Sequence, residues 1–246
     1  IIRDVVELRE TYAKSALINN DKNRVGYIKL PKFYVDFNET NGRSCYEDVK
    51  KHISKLKKKN MQSLILDLRN NGGGSLGEVI KIAGLFIDKG PVVQVKDQIK
   101  GTEVYRDEEP GIHYDKPLIV MVNSFSASAS EILAGAMQDY DRGIVIGSSS
   151  FGKGTVQRFI NFDKAVPKQL KMFKPLGSLK ITIQKFYRIT GSATQLKGVV
   201  PDITIPDKYA YMDIGEKERD NAIEWDKIPG ADFRKWDLSY KRKRVI

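Results

Sequence analysis

The sequence predicts an α/β fold, and three observations carry that expectation. Apolar runs of strand length recur at 63–68, 92–95, 118–122 and 143–147. Helical patterns alternate with them, opening on the S-x-x-E form of a capping box at Ser44–Glu47, Ser75–Glu78 and Ser128–Glu131. Beyond Lys153 the texture changes: 155–160 and 179–189 alternate and are rich in β-branched and aromatic residues, as strands are. Strands separated by helices imply a sheet joined by crossover connections.

Taken in order, Val5-Val-Glu-Leu and Val25–Leu30 are expected as extended pieces, with the polar stretch 19–24 turning the chain into a hairpin. A helix should run from Ser44 to about Lys58 with Val49, Ile53 and Leu56 inward. The strand at 63–68 is broken by Arg69-Asn-Asn-Gly-Gly-Gly74, and a second helix then runs to about Asp88, burying Val79, Ile82, Ala83 and Phe86. Val92–Val95 reads as a strand and 98–116 as a polar loop with room for one short strand. After the strand at 118–122, a helix shows Ile132, Leu133, Ala136 and Met137 on one face. Residues 163–178 read as a basic loop, Gly198–Ile203 as a short extended piece, and 209–246 as a helix-poor appendage.

Composition narrows the function classes. No segment reaches the roughly 20 apolar residues of a membrane span. The chain starts at Ile1 without a leader, so it reads as entered midway through a longer protein. The single cysteine, Cys45, excludes an internal disulfide. His52 and His113 lack companions at ligand spacing, which argues against a zinc site and a Ser-His-Asp triad. No metal or cofactor is expected. The net charge of +11 invites a nucleic-acid reading, but the lysines of 50–59 fit a solvated helix face without interleaved aromatics. Nucleic acid is not expected as a partner.

The stretch Asn123–Gln157 holds the parts of a nucleophile pair. Serines 124, 126, 128 and 130 open onto a helix, and the next strand leads to Lys153. Spacing does not choose among the four: Ser128 with Glu131 equally serves to close a helix, and Ser126 and Ser130 fit core or surface. A lysine base must shed its charge, which burial promotes. Glycines 152 and 154 let backbone pack close around Lys153, whereas Lys180 and Lys185 read as solvent lysines on an alternating strand. Gln157, four residues after Lys153, shares its face if the segment is a strand, and a neutral amide there can hold the amine. Asn71-Gly-Gly-Gly74 collects free backbone N–H groups suited to an anion. Gly147–Gly154 matches G-x-x-x-x-G-K, yet Gly154 stands where the Mg²⁺-binding Ser or Thr belongs and a strand follows, which argues against nucleotide binding.

Asp67-Leu-Arg-Asn-Asn-Gly-Gly-Gly74, Ser126-Ala-Ser-Ala-Ser-Glu-Ile132 and Phe151-Gly-Lys-Gly-Thr-Val-Gln157 together resemble the carboxy-terminal processing proteases, family S41 serine peptidases with a Ser-Lys dyad. Met137-Gln-Asp-Tyr, Ile183–Arg188, Lys197–Ile203 and Asp213-Ile-Gly-Glu216 resemble the tail-specific branch. The resemblance implies Ser128 as nucleophile, Lys153 as general base 25 residues on, and Gln157 as the residue orienting the lysine. It implies an oxyanion hole from the backbone N–H groups of Gly74 and Ala129. The implied fold is a crotonase/ClpP-like βαβ spiral core over 37–208, after extended strands in 1–36 and before the appendage 209–246. Implied substrates are proteins with apolar C-termini, recognised through a PDZ domain N-terminal to this chain, in a periplasmic or membrane-anchored enzyme facing the periplasm. The rival readings are an inactive peptide-binding relative, a crotonase-like acyl-thioester enzyme and a basic nucleic-acid binder.

Overall fold

In the computed structural model, residues 9–20, 22–36, 42–209 and 211–236 are described. The apolar runs at Ser63–Asp67 (β3) and Leu118–Val122 (β6) lie side by side at the centre of a six-stranded sheet. In each, one face is buried and the other half-buried, so apolar residues suit both faces and the two strands read as continuous apolar runs. Lys14–Asn20 (β1) and Asn23–Lys29 (β2) form an antiparallel hairpin on one side; Ile144–Gly147 (β7) and the two-residue Ile203–Thr204 (β10) complete the other. The order is β1–β2–β3–β6–β7–β10, and every pairing beyond the hairpin is parallel.

Parallel register decides where the functional loops emerge. Asp67 pairs with Met121, and Val122 with Gly147, so β3, β6 and β7 end together. Residues 68–74, 123–128 and 148–154 therefore leave the sheet at one edge, where open α/β sheets bind ligands.

Three helices cover the strands. Cys45–Lys58 (α1) is capped by Ser44 and buries Val49, Ile53 and Leu56 as expected. Leu76–Gly84 (α2) starts at the Ser75 cap but stops short of Asp88, and a turn places Phe86 and Ile87 in the core. Ala129–Asp139 (α3) is buried at every residue except Gln138, the pattern of a helix enclosed on all sides.

The second sheet is antiparallel, ordered β5–β4–β9–β8, from Gly90–Asp97 (β4), Gly101–Asp107 (β5), Thr155–Asn161 (β8) and Ser178–Tyr187 (β9). Its register slips by one residue between Val156 and Gln157.

Some sequence expectations change. The strand before the first turn is β1; the expected strand at Val5 lies outside the described residues. The loop 98–116 holds a seven-residue strand, β5, whose polar side faces solvent. Within 163–178 there are a single helical turn at Phe162–Ala165 and a 3-10 segment at Lys168–Phe173. The described part of the C-terminal stretch is helix-poor, with one 3-10 turn at Glu216–Glu218, yet it is bound along the core: Ile228 N–H to Gly191 O at 2.9 Å, Ala231 N–H to Ile189 O at 2.8 Å, Trp236 N–H to Tyr140 O at 2.8 Å. Its period is weak because its backbone is anchored by loop carbonyls rather than by a helix of its own. Among the described residues, no helix is long and apolar enough to cross a membrane.

One ion pair locks α3 to β9. Arg188, just past β9, donates through Nε to both Asp139 oxygens at 3.1 Å and through an Nη to Gln138 Oε1 at 3.0 Å. Burial pushes the Asp139 pKa up, and Arg188 works against that shift. Arg188→Ala strands a buried carboxylate and should cost about 3 kcal/mol in a urea unfolding titration.

Candidate active site

The turn between β6 and α3 sorts the four serines. Ser126 is fully buried; its Oγ donates to Leu68 O and accepts from Asn123 N, both at 2.9 Å. Ser130, also fully buried, donates to Asn71 O at 2.7 Å. The Ser124 hydroxyl is enclosed without a partner among the described residues. Ser128 is half-buried, and it alone of the four carries backbone strain, at φ 58° and ψ −114°, where an L-residue is rarely found. Such strain persists only where surrounding structure holds it, and it gathers at functional turns.

Glu131 supplies that hold. Ser128 and Glu131 face each other as a capping box, but the Ser128 hydroxyl makes no cap hydrogen bond, and the firm link is the carboxylate's. Glu131 Oε2 accepts from Ser128 N at 2.7 Å and from Lys153 N at 3.0 Å. Its Oε1 accepts from Gly152 N and from Ser150 Oγ, each at 2.7 Å. The backbones of Ser128 and Lys153 thus meet on one oxygen atom. Burial pushes the Glu131 pKa up to about 7, opposed by these four donors, which favour the charged form. Phe151 N–H to Ser126 O at 2.9 Å adds a further tie between the two loops.

Lys153 precedes β8 rather than belonging to it, in a loop bent by Gly152 at φ +88°. Its pKa is lowered from the usual lysine value, first by burial and next by the neighbouring charge of Lys180. Arg219 adds to the lowering, while Glu216 and Glu131 oppose it. Lys180 is exposed as expected but bears on the site by its charge; Lys185, expected in solvent, is half-buried and paired with Asp226 at 2.5 Å.

The glycine corner closes the third side. A Cβ on Gly73 would fall 2.8 Å from Ser128 Cβ and 3.0 Å from Ala129 N, so only glycine permits this approach. Gly73 N–H is taken by Asn71 Oδ1 at 2.9 Å and Ser75 N–H by Phe33 O at 2.9 Å. Gly74, between them, lies in a bridge with Phe33. Ala129 is the first residue of α3, so its N–H has no partner within the helix.

Two expected contacts are not made. Among the described residues no hydrogen bond joins Ser128 Oγ to Lys153 Nζ, and none joins Gln157 to Lys153. Ser128 and Lys153 meet through their backbone N–H groups on Glu131, and Gln157 sits on β8 opposite Thr182, beyond the register slip. Four supports were not anticipated. Glu131 was legible only as a capping residue. Asn70 and Asn123 bind each other reciprocally across the ends of β3 and β6, each bond 2.9 Å, and Asn71 Nδ2 donates to Leu30 O at 2.8 Å. The doubled asparagine after Asp67-Leu-Arg was the signal. No group of three or more His, Cys, Asp or Glu among the described residues is placed to hold a metal ion.

The profile of Peptidase family S41 matches residues 24–205, most of the chain and all of these loops. The chain belongs to this family. It is 45% identical over 235 residues to the tail-specific protease of Haemophilus influenzae, an alignment covering 95% of this chain and 32% of that protein. It is 32% identical over 225 residues to the carboxy-terminal-processing protease of Bartonella bacilliformis, covering 89% of this chain and 47% of that one. The chain thus spans half or less of these relatives. Among solved structures it resembles the photosystem II D1 C-terminal processing protease, with a TM-score of 0.63, 26% identity and coverage of 78% and 48%.

Two outcomes follow from the geometry. Glu131→Gln replaces an acceptor oxygen by an NH₂ facing backbone donors, and should lower the rate at least about tenfold at pH 8 while the fold remains, as judged by circular dichroism. Gly73→Ala should abolish turnover in the same assay, because its methyl enters the space of Ser128.

Proposed function

We propose that this chain is the catalytic core of a serine endopeptidase of the tail-specific, carboxy-terminal processing type. The observation that carries the reading is the convergence of the strained Ser128 turn and the Lys153 loop on the single buried carboxylate of Glu131. A serine turn and the loop of a partly desolvated lysine, fastened to one carboxylate, have a use in acyl transfer.

Ser128 Oγ attacks a peptide carbonyl as neutral Lys153 takes its proton. The developing oxyanion meets the N–H groups of Gly74 and Ala129, the latter reinforced by the positive end of α3. Lys153 then passes the proton to the leaving amine, and later activates water to release the acyl group. Reaction requires Lys153 Nζ to swing onto Ser128 Oγ, with Gln157 following it; hydrogen bonds at catalytic sites commonly tighten when substrate is bound. With this reading go a crotonase-like spiral for the parallel core, recognition of apolar C-termini by a PDZ domain outside this chain, and a periplasmic location.

The missing Ser128–Lys153 bond favours one alternative, a relative that binds peptides in the same groove without turnover. That alternative predicts a lasting peptide complex with no acyl-enzyme by mass spectrometry.

The test is cleavage of an unfolded protein with an apolar C-terminus. Ser128→Ala and Lys153→Ala should each abolish it. Ser126→Ala should cost roughly 1–3 kcal/mol of stability, through its two lost bonds, but retain turnover. The rate should fall as pH drops through the Lys153 pKa, since the protonated amine accepts nothing. Lys180→Met removes a repelling positive charge, so Lys153 gains protons more readily and this acid limb moves to higher pH. Full activity in Lys153→Ala would sink the base assignment.

A further inference from the structure

We propose that the open edge of β8 binds an extended peptide, which joins the antiparallel sheet as a fifth strand and runs from Lys153 toward the hollow beside Phe159. The inference rests on the proteolytic reading above and specifies how its substrate is held.

The sheet order makes β8 a terminal strand, and among the described residues β9 is the strand that pairs with it. Gly154 O accepts from Phe186 N at 2.9 Å, so alternation in an antiparallel ladder turns the N–H and C=O of Thr155 away from β9, toward the open side. Thr155 itself is buried, so the open part of this row runs from Gln157, four residues past Lys153, to Asn161. Edge strands that avoid pairing are protected by proline, lysine or inward charge. Thr155-Val-Gln-Arg-Phe-Ile-Asn161 contains no proline or lysine and one charge, Arg158.

The far end of the strand offers a side-chain site. A hollow of about 560 Å³ is lined by Phe159, Ile160 and Ile183 and rimmed by Arg158 and Lys164. Phe159 is 68% exposed, with Lys180 Nζ 5.6 Å from its ring centroid. Lys153 and Phe159 are separated by roughly 20 Å of extended chain, the span of about six residues of a paired peptide. The occupant that fits is a neutral or acidic peptide with an apolar side chain about six positions from the bond to be cleaved. Main-chain pairing gives grip on any sequence, and the hollow gives preference.

The experiment is an N-methyl scan of one acidic peptide carrying a leucine at that distance. It is read two ways: cleavage by the wild-type chain, and fluorescence-anisotropy binding to Ser128→Ala. Blocking an outward N–H removes one main-chain bond, so alternate positions should each weaken binding and kcat/KM about tenfold, with the positions between them unaffected. Phe159→Ser, a change at an exposed side chain, should weaken the leucine peptide but not its alanine counterpart. Cleavage with no period-two pattern overturns the inference and leaves the protease reading intact; that outcome includes an edge covered by another part of the protein or a second copy. Periodic binding to Ser128→Ala with no cleavage by the wild type upholds the inference and overturns the protease reading. Neither binding nor cleavage overturns both.

Discussion

A carboxylate with no ion-pair partner among the described residues, closed off from water at the start of α3, is the constraint on which the site depends. Glu131 cannot be left without donors there, because an unsolvated charge is far more costly than any bend of the backbone needed to satisfy it. The chain meets the demand with three backbone N–H groups and one hydroxyl drawn from two loops. The strained conformation of Ser128 and the kinked entry to β8 follow from that demand. Removing the acceptor would release both loops.

The sheet makes the convergence possible. Parallel strands deliver their loops to a common edge, and β3, β6 and β7 bring the glycine corner, the serine turn and the lysine loop there. Paired asparagines, Asn70 with Asn123, tie the first two loops, and Ser126 O with Phe151 N ties the second to the third. The second sheet extends from the lysine loop, with β8 leading away from the site. Membership of family S41 and the identity to tail-specific and carboxy-terminal-processing relatives fit this plan.

Charge around Lys153 is a balance rather than a single effect. Burial and Lys180 favour the neutral amine, while Glu216 and Glu131 favour its proton. Glu216 is buried and lies next to the loop through its N–H bond to Phe151 O at 2.9 Å, so the C-terminal stretch takes part in the balance. A stretch legible only as charged and aromatic is therefore coupled to the candidate chemistry.

Residue pattern alone determined much of this: the alternation of apolar runs with capped helices, the inner face of α1, the strand character of β8 and β9, and the cluster of Ser, Lys and Gly that follows the apolar run at 118–122. These are local properties, set by side-chain period and by the residues that start or break an element. Tertiary structure took Ser126 and Ser130 out of play, since their hydroxyls are used up by carbonyls of residues 68 and 71, far away in sequence, and it put the strained turn at Ser128. It also turned Glu131 from a helix cap into the joint between two loops, and moved Lys153 off the strand face it was expected to share with Gln157. Partners distant along the chain meet only when the sheet sets their loops side by side, and no periodicity within a segment records that meeting.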